Sequence, residues 1–108
     1  MFIFTFSVPG AAPSNVRGQF TSSTSISVKW DEVPDDKRHG EIQYYIVIWR
    51  VTGVDSKERK RVDAPLRQSN LTDLVKYTNY SIQVLAATLI GEGPPSIAIV
   101  QRTDEDSK

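Results

Sequence analysis

The chain has 108 residues, of which 39% are hydrophobic, and this length and composition suit a single domain with one core. Its 13 basic and 13 acidic residues cancel, so no net charge attracts it to nucleic acid or to an anionic membrane surface. The absence of cysteine excludes disulfides, thiol nucleophiles and cysteine-based zinc sites. Because no window approaches the ~20 apolar residues of a transmembrane span, direct membrane insertion is not expected either.

The first ten residues, MFIFTFSVPG, begin with a short apolar run, Phe2–Phe6. The run is too short for a signal peptide and lacks the basic residues that precede one, although its alternating phenylalanines are compatible with a stray strand. We therefore assign residues 1–10 to an N-terminal extension, either a remnant of expression or a linker, and expect the domain over residues 11–103. Residues 104–108 are predicted to form an acidic tail or linker.

Several stretches alternate apolar and polar residues with the period of two that is typical of half-buried strands. After a weak first strand near Val16, they are SISVKW (25–30), IQYYIVIWRV (42–51), QSNLTDL (68–74), NYSIQVLAAT (79–88) and SIAIVQR (96–102). In the last of these, Ile97 and Ile99 are expected on the inward side. Turns rich in proline, glycine and aspartate separate the stretches, as in DEVPDDKRHG (31–40). This pattern predicts an antiparallel β-sandwich.

Four motifs, in this order along the chain, resemble the fibronectin type III domain over about residues 13–103. Trp30 ends the second strand, where the family has its core tryptophan, and GEIQYYIVIW (40–49) is similar to its third strand. LVKYTNYSIQVLAAT (74–88) resembles the leucine, threonine and tyrosine that lead into the sixth strand, and GEGPPS (91–96) resembles the turn into the last. The resemblance implies an all-β, seven-stranded antiparallel Greek-key sandwich, immunoglobulin-like, with sheets of three and four strands.

Within this resemblance the stretch LVKYTNYS (74–81) has a structural role. Tyr80 is expected to be the tyrosine corner, whose hydroxyl hydrogen-bonds a backbone group a few residues upstream. Leu74 is expected to fill the same corner from the other side. Trp30, Tyr45 and Trp49 are the other predicted structural residues, since all three lie on inward positions of their strands.

No constellation of side chains predicts catalysis or a cofactor. The only histidine, His39, lies in a polar loop without the partners that a general base or a metal ligand needs. The acidic groups Asp35–Asp36 and Asp104–Asp106 lack the series of oxygen ligands that calcium requires. We therefore predict that the domain is not an enzyme and holds neither a metal nor a cofactor.

The outward positions of the third, sixth and last strands are unexpectedly apolar, and the family places these strands side by side. We call this set, with the adjoining turn, the outer face: Tyr44, Ile46, Ile48, Leu85, Ala87, Leu89, Ile90, Ala98 and Val100. Because a solvated sheet face is normally polar, an apolar patch of this kind is a candidate contact site for a protein partner. The alternative is that long side chains such as Arg50 or Arg102 cover it.

The one basic run, KERKR, supplies a candidate polyanion patch of Lys57, Arg59, Lys60 and Arg61. If the run is extended, Lys57, Arg59 and Arg61 share one side, and such a stripe is suited to a sulfated polysaccharide of the heparan type. The alternative is a solvated edge strand, since lysine on an edge also prevents association between sheets.

Two sequons, Asn70-Leu71-Thr72 and Asn79-Tyr80-Ser81, make Asn70 and Asn79 candidate N-glycan acceptors. Both asparagines precede inward residues and should point outward, which is compatible with secretion. A cytosolic relative could carry the same motifs.

Taken together, these features predict a non-catalytic extracellular spacer and protein-protein interaction module of a multi-domain cell-surface receptor or adhesion protein. Its expected partners are proteins, including neighbouring fibronectin type III or immunoglobulin-like domains. Two alternatives stay open: an intracellular scaffold module of the same fold, and a polysaccharide-binding module that uses the basic run.

Overall fold

The computed structural model describes residues 7–105, so the predicted strand within Phe2–Phe6 and the end of the acidic tail lie outside it. The described part folds into seven strands: β1 (Ser14–Ser22), β2 (Ser25–Asp31), β3 (Tyr44–Val51), β4 (Glu58–Asp63), β5 (Gln68–Leu71), β6 (Asn79–Ala87) and β7 (Ile99–Arg102). A single 3₁₀ turn, Asp35–Lys37, interrupts the loop between β2 and β3. Within residues 7–105, no helix is long and apolar enough to cross a membrane.

The strands form two antiparallel sheets. One sheet has the order β1-β2-β5 and the other has the order β4-β3-β6-β7. The chain crosses from one sheet to the other after β2, β4 and β5, and the predicted seven-stranded antiparallel sandwich, with sheets of three and four strands, is confirmed.

The core lies between the sheets because each strand directs every second side chain inward. Its fully buried members include Ile26, Val28, Trp30, Val47, Leu71, Ile82 and Val84. The ring of Trp30 meets that of Tyr45 edge-on, with 5.3 Å between centroids and 62° between planes, a favoured arrangement for aromatic pairs. Trp49 is half-buried and packs against the edge of this core.

Residues 7–10 lie against the domain, although the sequence assigned them to an extension. The Ser7 N–H donates to the His39 carbonyl at 3.1 Å, and the Gly10 N–H donates to the Lys37 carbonyl at 2.7 Å. Pro9 is buried, and a Cβ atom at Gly93 would come within 2.8 Å of the Pro9 carbonyl oxygen. The last four residues of the predicted extension are therefore packed against the domain.

The segment before β7 departs from the alternation that the sequence predicts. Ile97 was expected to point inward but is almost fully exposed, because β7 begins only at Ile99. Upstream, the Ser96 hydroxyl accepts the Val84 N–H at 2.9 Å and the Ser96 N–H donates to the Val84 carbonyl. Ser96 alone thus satisfies both backbone groups of Val84, and the chain bulges away from β6 at the two residues that follow.

Candidate functional site

The crossing from β5 to β6 is held by a tyrosine corner. The Val75 N–H donates to the Tyr80 hydroxyl at 2.8 Å, five residues upstream, and both Tyr80 and Leu74 are buried. Thr103, which the sequence did not single out, ties the same corner to the end of the domain. Its hydroxyl donates to the Val75 carbonyl at 2.7 Å and accepts the Thr78 N–H at 2.9 Å. The stretch LVKYTNYS therefore has a structural role in this domain.

The central part of the outer face is not exposed. Ile46 and Leu85 are 8% and 5% exposed, and Ala87 is fully buried. The prediction that these three residues form an open surface is therefore wrong. Tyr44 and Ile48, at positions on the same side of β3, are half-buried.

Long side chains from the β4 edge lie on the same side of the sheet as these residues. Arg59 and Arg61 lie opposite Ile48 and Ile46 across the β3–β4 pair. The Arg59 guanidinium reaches the Glu92 carboxylate at 2.6 Å, and Glu92 lies on the far side of β6, beside Ala87. The ion pair therefore spans the outer side of β3 and β6 and covers the apolar residues below it.

The Arg61 guanidinium extends this cover by lying 4.0 Å from the centre of the Tyr44 ring. Cover by long side chains was the alternative reading of the face, but Arg50 and Arg102 were the residues expected to provide it. Arg50 instead donates to the Val54 carbonyl. Arg102 lies over Tyr77, at the other end of β6.

The open remainder of the outer face lies at its ends. Leu89 and Ile90, in the turn after β6, are 86% and 61% exposed. They line a small pocket together with Gly40, Glu41, Gln43 and Thr88. Ala98, just before the last strand, and Val100, within it, are also exposed. The structure thus separates one continuous predicted patch into a covered centre and two exposed apolar ends.

Arg59 and Arg61 of the basic run share the outer side of β4. Lys57 precedes β4 and is exposed, whereas Arg59 and Arg61 form ion pairs with Glu92 and Asp63. Lys60 faces the opposite way, and its ammonium donates to the Asn70 carbonyl of the other sheet at 3.1 Å. Since β4 is an edge strand, these contacts favour the reading of a solvated edge over a polyanion patch.

Both sequon asparagines are exposed. Asn70 lies on β5, opposite Ser27 of β2. Asn79 begins β6, opposite Arg102 of β7, and its Oδ1 accepts the Arg102 Nε–H at 3.2 Å.

Among residues 7–105, Asp31 and Tyr45 have shifted pKa values, and both shifts have structural causes. The hydrogen bond from the Asn15 amide lowers the pKa of Asp31, and Arg17 lowers it further. Burial between the sheets raises the pKa of the Tyr45 hydroxyl.

His39 is exposed, and its Nδ1 lies 3.2 Å from the Val8 carbonyl, so this histidine contacts the packed N-terminal segment. Among residues 7–105, no group of three acidic or histidine side chains is placed to hold a metal ion.

The two sheets, the aromatic core and the tyrosine corner define the class of the protein: an immunoglobulin-like β-sandwich module. The family model described as "Fibronectin type III domain" matches residues 11–102. The chain therefore belongs to the fibronectin type III family.

The chain is similar to one part of two much longer proteins. The chain is 39% identical over 99 residues to tyrosine-protein phosphatase Lar of Drosophila melanogaster, covering 92% of this chain and 5% of that protein. It is 41% identical over 101 residues to the cell adhesion molecule DSCAM of Mus musculus, with the same coverage of 92% and 5%. The chain thus spans about one-twentieth of the length of these relatives, which include a cell adhesion molecule and a phosphatase.

Among solved structures, the fn3 domain of human contactin 1 has the same fold. The two superpose with a TM-score of 0.83 at 26% identity, over 100% of this chain and 89% of that one.

Proposed function

We propose that this domain is an extracellular spacer and protein-interaction module of a multi-domain cell-surface receptor or adhesion protein. Its relatives support the proposal, since they include the cell adhesion molecule DSCAM and receptor-type tyrosine-protein phosphatase F. The family consists of non-catalytic modules.

One observation carries the spacer role: the two ends of the described chain leave at opposite poles of the sandwich. Ser7 and Gly10 are bound to the loop after β2, at the pole where β1 begins opposite Asp31. At the other pole, the Asp104 N–H donates to the Ser22 carbonyl at the end of β1. A module with this geometry can be joined to others in a linear array, each separating its neighbours by its own length.

The exposed turn of Leu89 and Ile90 is the part of the outer face best placed for contact with a neighbouring domain. The Thr88 hydroxyl donates to the Ser7 carbonyl at 2.8 Å, so this turn lies beside the incoming chain. A domain that precedes this one along a polypeptide would therefore face the two apolar side chains, and their burial would favour a fixed angle between the two.

Surface labelling tests the location. An antibody raised against this domain should label intact cells that express the natural full-length protein as strongly as permeabilised cells. Labelling that requires permeabilisation would contradict an extracellular location and favour the intracellular scaffold.

Small-angle X-ray scattering tests the contact on a chain that includes the preceding domain. We expect Leu89→Ser with Ile90→Ser to broaden the distribution of inter-domain distances. Val100→Ser, which removes a smaller exposed apolar side chain near the other pole, serves as the control. An unchanged distribution in the double variant would show that the turn does not form the joint.

A further inference from the structure

Three side chains meet at the surface where β6 begins. Asn79 and Arg102 are register partners on β6 and β7, and the Arg102 Nε–H donates to Asn79 Oδ1 at 3.2 Å. The guanidinium carbon of Arg102 also lies 4.7 Å from the centre of the Tyr77 ring. Arg102 therefore holds the amide of Asn79 and the ring of Tyr77 on one side of the domain.

The position of Tyr77 is defined by its backbone. Its φ is +48°, which is uncommon for a bulky residue, and its N–H donates to the Asp104 carbonyl at 3.1 Å. The side chain is 57% exposed, in contrast to the buried Tyr80 three residues later. The domain thus holds a large aromatic ring outside its core, two residues before a sequon asparagine.

We propose that Asn79 carries an N-linked glycan whose first N-acetylglucosamine packs on the Tyr77 ring. This inference rests on the proposed extracellular function, because only a chain in the secretory pathway meets the glycosyl donor, an oligosaccharide on a lipid diphosphate. In the transfer, Nδ2 of Asn79 forms a bond to C1 of the first sugar and loses one proton. The bond between C1 and the diphosphate oxygen breaks, and the lipid diphosphate leaves with the electron pair.

The hydrogen bond to Arg102 is compatible with this product. Transfer takes place at Nδ2, whereas Arg102 binds Oδ1, and the modified amide retains that oxygen. The bond therefore fixes the orientation of the amide and leaves Nδ2 as the atom that faces away from the guanidinium. A pyranose ring has an apolar C–H face, and an exposed tyrosine ring offers the apolar area on which that face can pack.

Asn70, the other sequon asparagine, has different surroundings. Asn70 faces Ser27 across the β2–β5 pair, and the Lys60 ammonium donates to the backbone carbonyl of Asn70. Neither neighbour offers a flat apolar surface. A sugar on Asn70 is therefore expected to leave the stability of the domain unchanged.

The test uses the whole chain, secreted from mammalian cells that make only high-mannose glycans, so that an endoglycosidase can trim each glycan to a single N-acetylglucosamine. Glycopeptide mass spectrometry should find Asn79 occupied. After trimming, the parent should unfold at a temperature higher than Asn79→Gln by roughly 4 °C, the lower end of the shift that about 1 kcal/mol of stabilisation gives in a small domain. Asn70→Gln is the matched control and should unfold with the parent.

The double-mutant cycle with Tyr77→Ala decides whether the ring is responsible. In that background, the trimmed glycan at Asn79 should no longer raise the unfolding temperature. Two results would overturn the proposal: Asn79 unoccupied in both the parent and Ser81→Thr, or an occupied Asn79 whose effect on unfolding is the same with and without the Tyr77 ring.

The two proposals fail separately. If surface labelling fails, while the secreted chain carries a glycan on Asn79 that stabilises the domain through Tyr77, only the extracellular location is rejected. Surface labelling that succeeds while Asn79 stays empty rejects the glycan alone.

Discussion

The two sides of the central strand pair β3–β6 are both apolar, yet they are buried in different ways. On the inner side, Val47 and Val84 are covered by the opposite sheet and have no exposed area. On the outer side, Ile46 and Leu85 are covered by arginine side chains that reach across from β4. An apolar strand face therefore indicates that the face is buried, but it does not indicate which part of the molecule covers it. A close-packed sheet is a rigid cover, whereas an arginine is a flexible one.

The largest expected effect comes from the inner side. Trp30→Ala removes a ring that lies between the sheets against Tyr45, and truncation of a buried tryptophan costs about 3 to 5 kcal/mol. Because a domain of this size has a total stability of only about 5 to 15 kcal/mol, most of it would be lost. Urea unfolding measures this loss. An unchanged midpoint would contradict the inner core as described.

The same substitution on both sides tests the comparison directly. Leu71→Ala, in the inner core, and Leu85→Ala, on the outer side, delete the same atoms from two buried sites. Buried Leu→Ala changes cost about 2 to 5 kcal/mol, depending on how far the cavity collapses. We expect about 4 kcal/mol for Leu71 and about 2 kcal/mol for Leu85, since the flexible cover can settle into the space. Equal losses in chemical denaturation would show that the two covers are equally rigid.

Tyr80→Phe tests the end of the inner side with a smaller change. The substitution keeps the ring and removes the hydroxyl that accepts the Val75 N–H, which costs roughly 1 kcal/mol. Tyr77→Phe is the matched control and should cost much less because Tyr77 is exposed. If Tyr77→Phe lowers the unfolding midpoint more than Tyr80→Phe does, the corner depends on the other tyrosine.

The smallest change in stability is expected for the cover itself. Arg59→Ala breaks an exposed ion pair with Glu92, and such pairs are worth about 0.2 to 1 kcal/mol. The informative measurement is therefore binding of a hydrophobic dye, which should rise as Ile46 and Leu85 become accessible. Arg17→Ala, which breaks the similarly exposed pair with Asp31 on β1 and β2, is the control. A rise of the same size in both variants would mean that Arg59 does not shield the outer face.

Local sequence pattern was sufficient to predict the sandwich and its inner core. The alternation around Trp30 and Tyr80 reflects a period that each strand carries in its own residues. By contrast, β4 has the sequence ERKRVD, in which only Val62 is buried. Its strand conformation comes from backbone pairing with β3, a non-local interaction that side-chain alternation does not report.

The cover of the outer face was unpredictable for a related reason. Arg59 and Glu92 are 33 residues apart, and their contact depends on the register of several strands at once. The same is true of Thr103, the last residue of the predicted domain, which is buried and hydrogen-bonded to Val75 and Thr78. Polar residues that act through long-range contacts leave no periodic signal in the sequence.

The packed segment at residues 7–10 also has a mechanical consequence. A force applied along the chain pulls on the domain from its two poles, so the load reaches this segment before it reaches β1. Hydrogen bonds of Ser7 and Gly10 with the loop after β2, and of Thr88 with Ser7, hold it to the sandwich together with the contact between His39 and Val8. Its release would lengthen the chain by at most roughly 13 Å, at about 3.3 to 3.6 Å for each extended residue. The chain would thus extend by a short length under force while both sheets of the domain remain folded.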